Sequence, residues 1–135
     1  MKIALAGEGA IARRHAAAIG NIDDVEIATI VGGDEDDTRA FAAEHGISHW
    51  TLDLDEALAQ PEVEASILTT PTPLHARHAI KSLDAGMHTL VEIPMADNLA
   101  DSEALVAKQA ETGLTAMVCH TRRFNPGHHW IRQQI

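Results

Sequence analysis

The sequence predicts an α/β fold with helices on both faces of a doubly wound, six-stranded parallel sheet. The first observation is that apolar runs of strand length alternate with segments of helical period along nearly all of the 135 residues, a pattern typical of repeated βα units. The second is composition, since 45% hydrophobic and 22% charged residues match an ordinary globular domain. A chain of this length accommodates about one domain.

The first half of the chain contains three predicted strands and three predicted helices. In order, they are strand 2–6, a helix from Gly9 to Gly20, strand 25–31, a helix over about 36–45, strand 47–50 and a short helix over 54–59. The strands are apolar runs, and the first helix is rich in alanine. Gly20, Gly46 and Pro61 stop the helices, because these residue types end or break helical backbone.

The second half repeats the alternation three more times. It contains strand 63–69, a helix over about 73–85, strand 88–92, a helix over about 98–112, strand 114–119 and a helix that begins near Asn125. Gly86 and Gly113 end the first two of these helices, as glycine commonly does. Helical crossovers between successive strands predict parallel pairing, so six strands fit one sheet.

The balance of charge argues against several classes of partner. Ten Lys and Arg residues oppose 20 Asp and Glu, for a formal net charge of −10, so affinity for nucleic acid or an anionic membrane is not expected. Cys119 is the only cysteine, which excludes an internal disulfide and a cysteine-based zinc site. With no signal or membrane-spanning segment in the pattern, we expect a cytoplasmic protein without a bound metal.

A glycine-rich loop follows the first strand directly. Residues 7–12 (GEGAIA) have the G-x-G-x-x-G/A pattern in its small-residue form. Gly7 permits a tight turn, Gly9 lets the backbone approach a pyrophosphate, and Ala12 keeps the following helix close to the sheet. The N–H groups of Ala10, Ile11 and Ala12 open that helix and are expected to bind phosphate. The loop therefore predicts a Rossmann fold that binds NAD or NADP.

The end of the second strand usually distinguishes NAD from NADP. Asp34 follows Gly32 and Gly33 there, and we expect its carboxylate to accept the ribose hydroxyls. Nearby carboxylates would repel a 2′-phosphate, so NAD is slightly favoured. The alternative is that an arginine folds over the ribose and receives that phosphate. The candidates for this are Arg13, Arg14 and Arg39.

Polar loops follow strands four, five and six, and ligands of open parallel sheets bind beyond this edge. The loops are 69–75 (TTPTPLH), 92–94 (EIP) and 120–126 (HTRRFNP). Because the carboxyl ends of parallel strands share one edge, we expect the three loops to converge. His75 and His120 contribute imidazoles, which titrate near neutral pH.

These motifs resemble the glucose-fructose oxidoreductase, inositol dehydrogenase and rhizopine-catabolism (Gfo/Idh/MocA) family. The resemblance covers nearly the whole chain and rests on the glycine loop, TPTPLH, AGMHTLVEIP and RRFNP. It implies an NAD(P)-dependent oxidoreductase whose cofactor domain spans residues 1–135. Family members continue into a second domain that supplies substrate contacts and the subunit interface. We expect this chain to lack that domain, to be incomplete for catalysis alone, and to form a homo-oligomer in its full-length form.

The resemblance also implies roles for the loop residues. Further cofactor contacts are expected from Thr70, Pro71, Thr72, His75 and Glu92. The family's E-K-P motif has Ile93 in place of lysine here, so the proton of a substrate hydroxyl must go elsewhere. The catalytic candidates are His75, Glu92 and His120, with water or a group on the second domain as the alternatives for the base.

One subgroup of the family is especially similar. VEIP, the following Ala96-Asp97 pair and HTRRFNP resemble dehydrogenases of aromatic catabolism. These oxidise 4-carboxy-2-hydroxymuconate semialdehyde, as its hemiacetal, to 2-pyrone-4,6-dicarboxylate. Such an anionic substrate would be bound by Arg122 and Arg123, because guanidinium groups hold carboxylates through paired hydrogen bonds. A non-catalytic dinucleotide-binding or sensing module, and a sugar or polyol dehydrogenase of the same family, are the alternatives.

Several residues have simpler interpretations. His15 is expected to face solvent, with a neighbouring phosphate as the alternative. His78 is expected to be a surface or packing histidine, and Cys119 a small core residue rather than a nucleophile. Glu92 is either an orienting residue near the nicotinamide ribose or an acid at a helix start.

Overall fold

A computed structural model describes all 135 residues and confirms the predicted α/β fold. The strands are β1 Lys2–Ala6, β2 Glu26–Val31, β3 His49–Thr51, β4 Val63–Leu68, β5 His88–Val91 and β6 Ala116–Val118. The α-helices are α1 Ala10–Ile19, α2 Glu35–His45, α3 Leu54–Leu58, α4 His75–Asp84, α5 Leu99–Thr112 and α6 Pro126–Gln133. Two 3₁₀ turns cover Thr72–Leu74 and Thr121–Phe124. None of the helices combines the length and apolarity that crossing a bilayer requires.

All six strands are parallel and follow the order β3-β2-β1-β4-β5-β6. The chain winds outward from β1 in one direction, then crosses back to place β4 on the other side of β1. In the registered pairing, Leu5 lies between Ile30 of β2 and Ile67 of β4. This doubly wound order confirms the predicted topology. It also creates a switch point between β1 and β4, where open sheets bind ligands.

The two faces of the sheet carry separate apolar cores because side chains alternate along each strand. On one face, Leu5 and Ile30 pack with Phe41 of α2 and with the alanines of α1. On the other, Ala4 and Ala6 pack beneath α3, α4 and α5. Alanine at these central positions lets the covering helices approach the sheet closely. On the opposite face, Ala12 and Ala16 likewise let α1 lie close to the sheet.

The predicted boundaries differ from the observed ones by a residue or two at several ends. One difference of two residues is at β3, which was expected at 47–50 and begins at His49. Ile47 instead takes part in the turn that caps the end of α2, because its N–H donates to the carbonyl of Ala42 after Gly46 adopts a left-handed conformation. The helix expected from 73 begins with a 3₁₀ turn and becomes α-helical only at His75.

The turn after β1 requires a glycine. Gly7 has a φ of +105°, and a Cβ added there would lie 2.6 Å from the carbonyl oxygen of Thr69. The Gly7 N–H donates to the carbonyl of Val31 at 2.7 Å, and the Thr69 N–H donates to that of Ala6 at 2.7 Å. The chain thus turns away from β1 between β2 and β4, where there is no space for a side chain at position 7.

Candidate functional site

An open cleft of about 1060 Å³ lies beyond the carboxyl ends of the central strands. It is bounded by the glycine loop, the end of β2, the segment after β3 and the loop after β4. Its lining includes Gly7, Glu8, Gly9, Gly32, Thr70 and Pro71. The cleft therefore lies at the switch point of the sheet, where the sequence predicted a dinucleotide.

The first turn of α1 presents free backbone donors. Gly9 is its N-cap and makes no side-chain capping bond, and the turn contains no acidic side chain. The first N–H that bonds back within the helix is that of Arg13, to the carbonyl of Gly9 at 3.2 Å. The preceding N–H groups, those of Ala10, Ile11 and Ala12 among them, have no partner within the helix. They suit an anion, which the positive end of the helix dipole also favours.

Open space lies in front of Gly9. A Cβ added at this residue would meet no atom within 4 Å, so the backbone is accessible from the cleft side. The small residue at position 9 is thus not required by packing. A diphosphate that approaches the helix start therefore finds both free backbone donors and space, as the predicted cofactor requires.

The acids near the end of β2 differ from the expected arrangement. The Oδ1 atom of Asp34 accepts the N–H groups of Asp36 at 3.0 Å and Asp37 at 3.1 Å, and so caps α2. Glu8 and Asp37, rather than Asp34, line the cleft. The Oε1 atom of Glu8 accepts the N–H of Gly33 at 2.9 Å, which holds this carboxylate against the end of β2.

The arginines considered for a 2′-phosphate are largely paired. Arg13 lines the cleft, forms an ion pair with Glu44 and lies 5.1 Å over the ring of Phe41. Arg39 pairs with Asp36 within its own helix. The cleft near the end of β2 is therefore lined by carboxylates. The arginine that lines it, Arg13, is already paired with Glu44.

His75 is buried, with 2% of its surface exposed. Its Nδ1 atom lies 2.7 Å from the carbonyl oxygen of Pro94, and its Nε2 atom lies 2.6 Å from that of Thr70. The ring thereby joins the loop after β4 to the loop after β5. Both partners are acceptors, so a neutral ring satisfies one of them and a doubly protonated ring satisfies both. Neither nitrogen is free to contact a ligand in this conformation.

His78 lines the cleft, a position that the sequence analysis did not assign to it. Its Nδ1 atom lies 3.4 Å from the hydroxyl of Thr70. Burial lowers the pKa of His78, and the charges of Arg77 and Lys81 lower it further. The signal in the sequence was its spacing, since a residue one helical turn after His75 faces the same side of α4.

Glu92 meets two side chains from distant parts of the chain. Its Oε1 atom lies 2.8 Å from Nε2 of His15, and both side chains are less than a fifth exposed. The thiol of buried Cys119 also lies beside this carboxylate, with Sγ within 4.8 Å of a carboxylate oxygen. The expectation that His15 faces solvent was wrong. His15 lies on the side of α1 that faces the sheet, because it follows buried Ala12 by three residues and therefore shares its face of the helix.

Glu92 does not begin a helix, because the next helix starts at Leu99. Burial acts to raise the pKa of Glu92, but hydrogen bonds from His15 and Cys119 outweigh it, so the pKa lies below its ordinary value. Burial, followed by the hydrogen bond and charge of Glu92, raises the pKa of the Cys119 thiol to about 11. A protonated, buried thiol agrees with the prediction of a core residue rather than a nucleophile.

A second, smaller cleft of about 340 Å³ lies between the loops after β5 and β6. It is lined by Ile93, His120, Thr121, Arg122 and Arg123. The structure thus brings together the residue that replaces the family lysine, the histidine candidate and both arginines. Neither arginine forms an ion pair, and both are exposed. Their guanidinium groups remain available to an anion.

Comparison with known proteins places the chain among dehydrogenases. Residues 1–120 match the Gfo/Idh/MocA model, described as an oxidoreductase family with an NAD-binding Rossmann fold. The chain is 50% identical, over its full length and 43% of the relative, to 4-carboxy-2-hydroxymuconate-6-semialdehyde dehydrogenase of Sphingobium sp. (strain NBRC 103272 / SYK-6). It is 36% identical, over 70% of this chain and 28% of the relative, to scyllo-inositol 2-dehydrogenase (NAD(+)) of Bacillus subtilis (strain 168).

A solved structure shows the same architecture. Biliverdin reductase from Synechocystis sp. PCC 6803, determined with biliverdin and NADP⁺, superposes with a TM-score of 0.89 at 26% identity, over 98% of this chain and 42% of that one. The chain therefore spans less than half the length of each of these relatives.

Replacing Glu92 with glutamine should remove part of the acid sensitivity of the fold. The carboxylate has a lowered pKa when folded, so its stabilisation is present above the ordinary value of 4.5 and is lost as the pH falls through the lowered value. We expect Glu92→Gln to lower the free energy of unfolding by about 1–2 kcal/mol at neutral pH, and by less as the pH falls.

Urea denaturation between neutral and acidic pH, with a chelator present, measures this effect. Glu103→Gln is the control, because Glu103 is exposed on α5 and makes no ion pair. If the free energy of unfolding depends on pH in the same way for Glu92→Gln and for the unsubstituted chain, Glu92 does not have the lowered pKa assigned to it.

Proposed function

Because the chain belongs to the Gfo/Idh/MocA oxidoreductase family with the NAD-binding Rossmann fold, we propose that it is the cofactor-binding domain of an NAD(P)-dependent dehydrogenase. The observation that carries this proposal is the unobstructed first turn of α1. Its free N–H groups open onto the cleft at Gly9, where space remains for a diphosphate.

The proposed cofactor extends along the carboxyl edge of the sheet. The adenosine half lies toward Glu8, Gly33 and Asp37, which border the end of β2. The nicotinamide half lies toward Thr70, Pro71 and Thr72 and the segment at Glu92. His75 acts here as a positioning residue, because it ties the carbonyl of Thr70 to that of Pro94 and so holds two of the loops in place.

The bound nicotinamide ring supplies the hydride acceptor, and the chain's own residues handle charge and protons. Ile93 cannot accept a proton, and both His75 nitrogens face carbonyl oxygens. His120 is exposed in the smaller cleft and is the histidine of this chain best placed to take the substrate proton. Glu92, held ionised by His15 and the Cys119 thiol, orients the segment that contains Ile93.

We propose that the substrate is the hemiacetal of 4-carboxy-2-hydroxymuconate semialdehyde, oxidised to 2-pyrone-4,6-dicarboxylate in aromatic catabolism. Support comes from the 50% identity of the whole chain to a dehydrogenase named for this semialdehyde. A chain with a net charge of −10 repels a dicarboxylate unless positive charge is concentrated locally. Arg122 and Arg123 provide that charge in the smaller cleft.

A polyol is the second candidate substrate. The 36% identity to an NAD-dependent scyllo-inositol dehydrogenase supports it, and a neutral polyol would need no arginine pair. Activity on the two substrate classes separates these candidates.

The setting we propose is a cytoplasmic homo-oligomer. A single, protonated thiol is compatible with a reducing compartment. Phe124, Trp130 and Ile131 are exposed near the end of the chain, and such apolar surface is commonly covered by another subunit or domain.

Gly9→Ala should weaken cofactor binding without unfolding the chain. The added methyl group enters open space, so the free energy of unfolding should change by about 0.5 kcal/mol or less. It nevertheless blocks close approach of a diphosphate, and we expect at least a roughly tenfold higher dissociation constant for NADH. Fluorescence titration of NADH measures this constant.

Gly20→Ala is the matched control at the other end of α1, where a Cβ would make only ordinary contacts at 3.6 Å and 3.8 Å. Equal NADH affinity of Gly9→Ala and Gly20→Ala would contradict the placement of the diphosphate.

Glu8→Gln should shift the balance between the two cofactors. Removing this carboxylate takes away about 1 kcal/mol of repulsion toward a 2′-phosphate, or about fivefold in NADPH affinity, and changes NADH affinity less. Titration with both cofactors measures the ratio, with Glu35→Gln on exposed α2 surface as the control. An unchanged ratio would place the ribose away from Glu8.

Arg123→Ala should act on substrate binding in the protein that contains this chain. We expect the KM for the hemiacetal to rise about tenfold with a small change in kcat, because the lost guanidinium binds ground and transition states alike. Steady-state kinetics of Arg122→Ala and Arg123→Ala compare the two arginines. Equal efficiency on scyllo-inositol would refute the anionic substrate while leaving the dehydrogenase proposal intact.

A further inference from the structure

Three side chains capable of binding a metal meet at one point, although they are far apart in the sequence. His15 is on α1, Glu92 follows β5, and Cys119 follows β6. One ligand atom from each, the imidazole Nε2, a carboxylate oxygen and Sγ, lies within 4.8 Å of the others. Cys119 is buried and the other two side chains are less than a fifth exposed. We call these three residues the His-Glu-Cys cluster.

The spacing of the cluster is close to that of a tetrahedral metal site. Zinc binds nitrogen and oxygen at about 2.0–2.2 Å and sulfur at about 2.3 Å, which separates neighbouring ligand atoms by roughly 3.3–3.8 Å. The cluster needs to contract by about 1 Å at its widest separation, while the 2.8 Å contact between His15 and Glu92 opens slightly. Side-chain rotations of this size are available to a glutamate and a histidine at a partly exposed position.

The donor set selects the kind of ion. One imidazole, one carboxylate and one thiolate are typical zinc ligands, whereas magnesium and calcium prefer oxygen ligands alone. Three protein ligands leave a fourth position for water, as in zinc sites that remain open. No lysine or arginine forms an ion pair with Glu92, so no cation of the chain competes for its carboxylate.

Although a lone cysteine gave no reason to expect a bound metal from the sequence, Cys119 has a histidine and a glutamate beside it in the fold, and we propose that the His-Glu-Cys cluster binds one Zn²⁺ ion, with water as the fourth ligand. On binding, the Cys119 thiol releases its proton to solvent, and the resulting thiolate bonds to the metal. The Nε2 lone pair of His15 and a carboxylate oxygen of Glu92 complete the protein ligands. The ion replaces the hydrogen bonds that hold Glu92 in the metal-free chain. Because Ile93 follows Glu92 and lines the smaller cleft, zinc occupancy constrains the loop beside it.

Cobalt is a suitable probe because Cys119 is the only cysteine. Co²⁺ bound to a thiolate absorbs in the near ultraviolet through sulfur-to-metal charge transfer, so any such band reports Cys119 alone. We expect a band that saturates at one Co²⁺ per chain and disappears when Zn²⁺ is added. Cys119→Ser should abolish the band, and His15→Gln should weaken Co²⁺ binding at least tenfold.

His128→Gln is the control, because His128 is exposed on α6 and is not one of the three cluster residues. The absence of a band at millimolar Co²⁺, or equal binding by His15→Gln and His128→Gln, would overturn the proposal. Cadmium-113 NMR of the unsubstituted chain provides a measurement that does not depend on folding of the variants. A resonance typical of one sulfur ligand supports the site, and a spectrum of free Cd²⁺ alone refutes it. None of these readouts requires dinucleotide binding or catalysis.

Discussion

The close approach of Gly7 to the backbone of Thr69, directly after β4, is the constraint on which the candidate site depends. The chain must leave β1 between β2 and β4, and the hydrogen bonds of Gly7 and Thr69 hold it there. A side chain at position 7 would collide with the Thr69 carbonyl. Because this turn is so tight, α1 starts immediately at the sheet edge, and its unpaired N–H groups open onto the cleft.

The loops around the site are held by side chains rather than by further backbone pairing. His75 joins the loops after β4 and β5 through two carbonyl oxygens. Glu92 joins the end of β5 to α1 through His15, and to the end of β6 through Cys119. These contacts connect α1, whose first turn is proposed to bind the diphosphate, with the segment that carries Ile93. In this chain, the residues flanking the family's lysine position thus have structural partners even though the lysine is absent.

An acidic chain can still receive anions because its positive potential is local. At the larger cleft it comes from backbone N–H groups at a helix start, which carry no formal charge and are not counted in a net charge of −10. At the smaller cleft it comes from two arginines without acidic partners. Of the three acids that line the larger cleft, Glu8 and Asp37 lie beside the end of β2, and Asp53 follows β3. Charge is therefore distributed unevenly along this edge of the sheet, with backbone donors at the start of α1, carboxylates beside the end of β2 and guanidinium groups in the smaller cleft.

The sequence by itself determined the fold class, the order of the elements and the glycine loop, because these depend on local periodicity, on stop residues and on a contiguous motif. It also indicated that the loops after β4, β5 and β6 share an edge, which follows from parallel pairing. Only the tertiary structure decided the partners of single side chains. Asp34 caps its own helix, His78 enters the cleft, and His15 meets Glu92 across 77 positions of sequence. Such contacts depend on the rotation of each helix against the sheet and on packing between distant segments, and neither leaves a local signature in the order of residues.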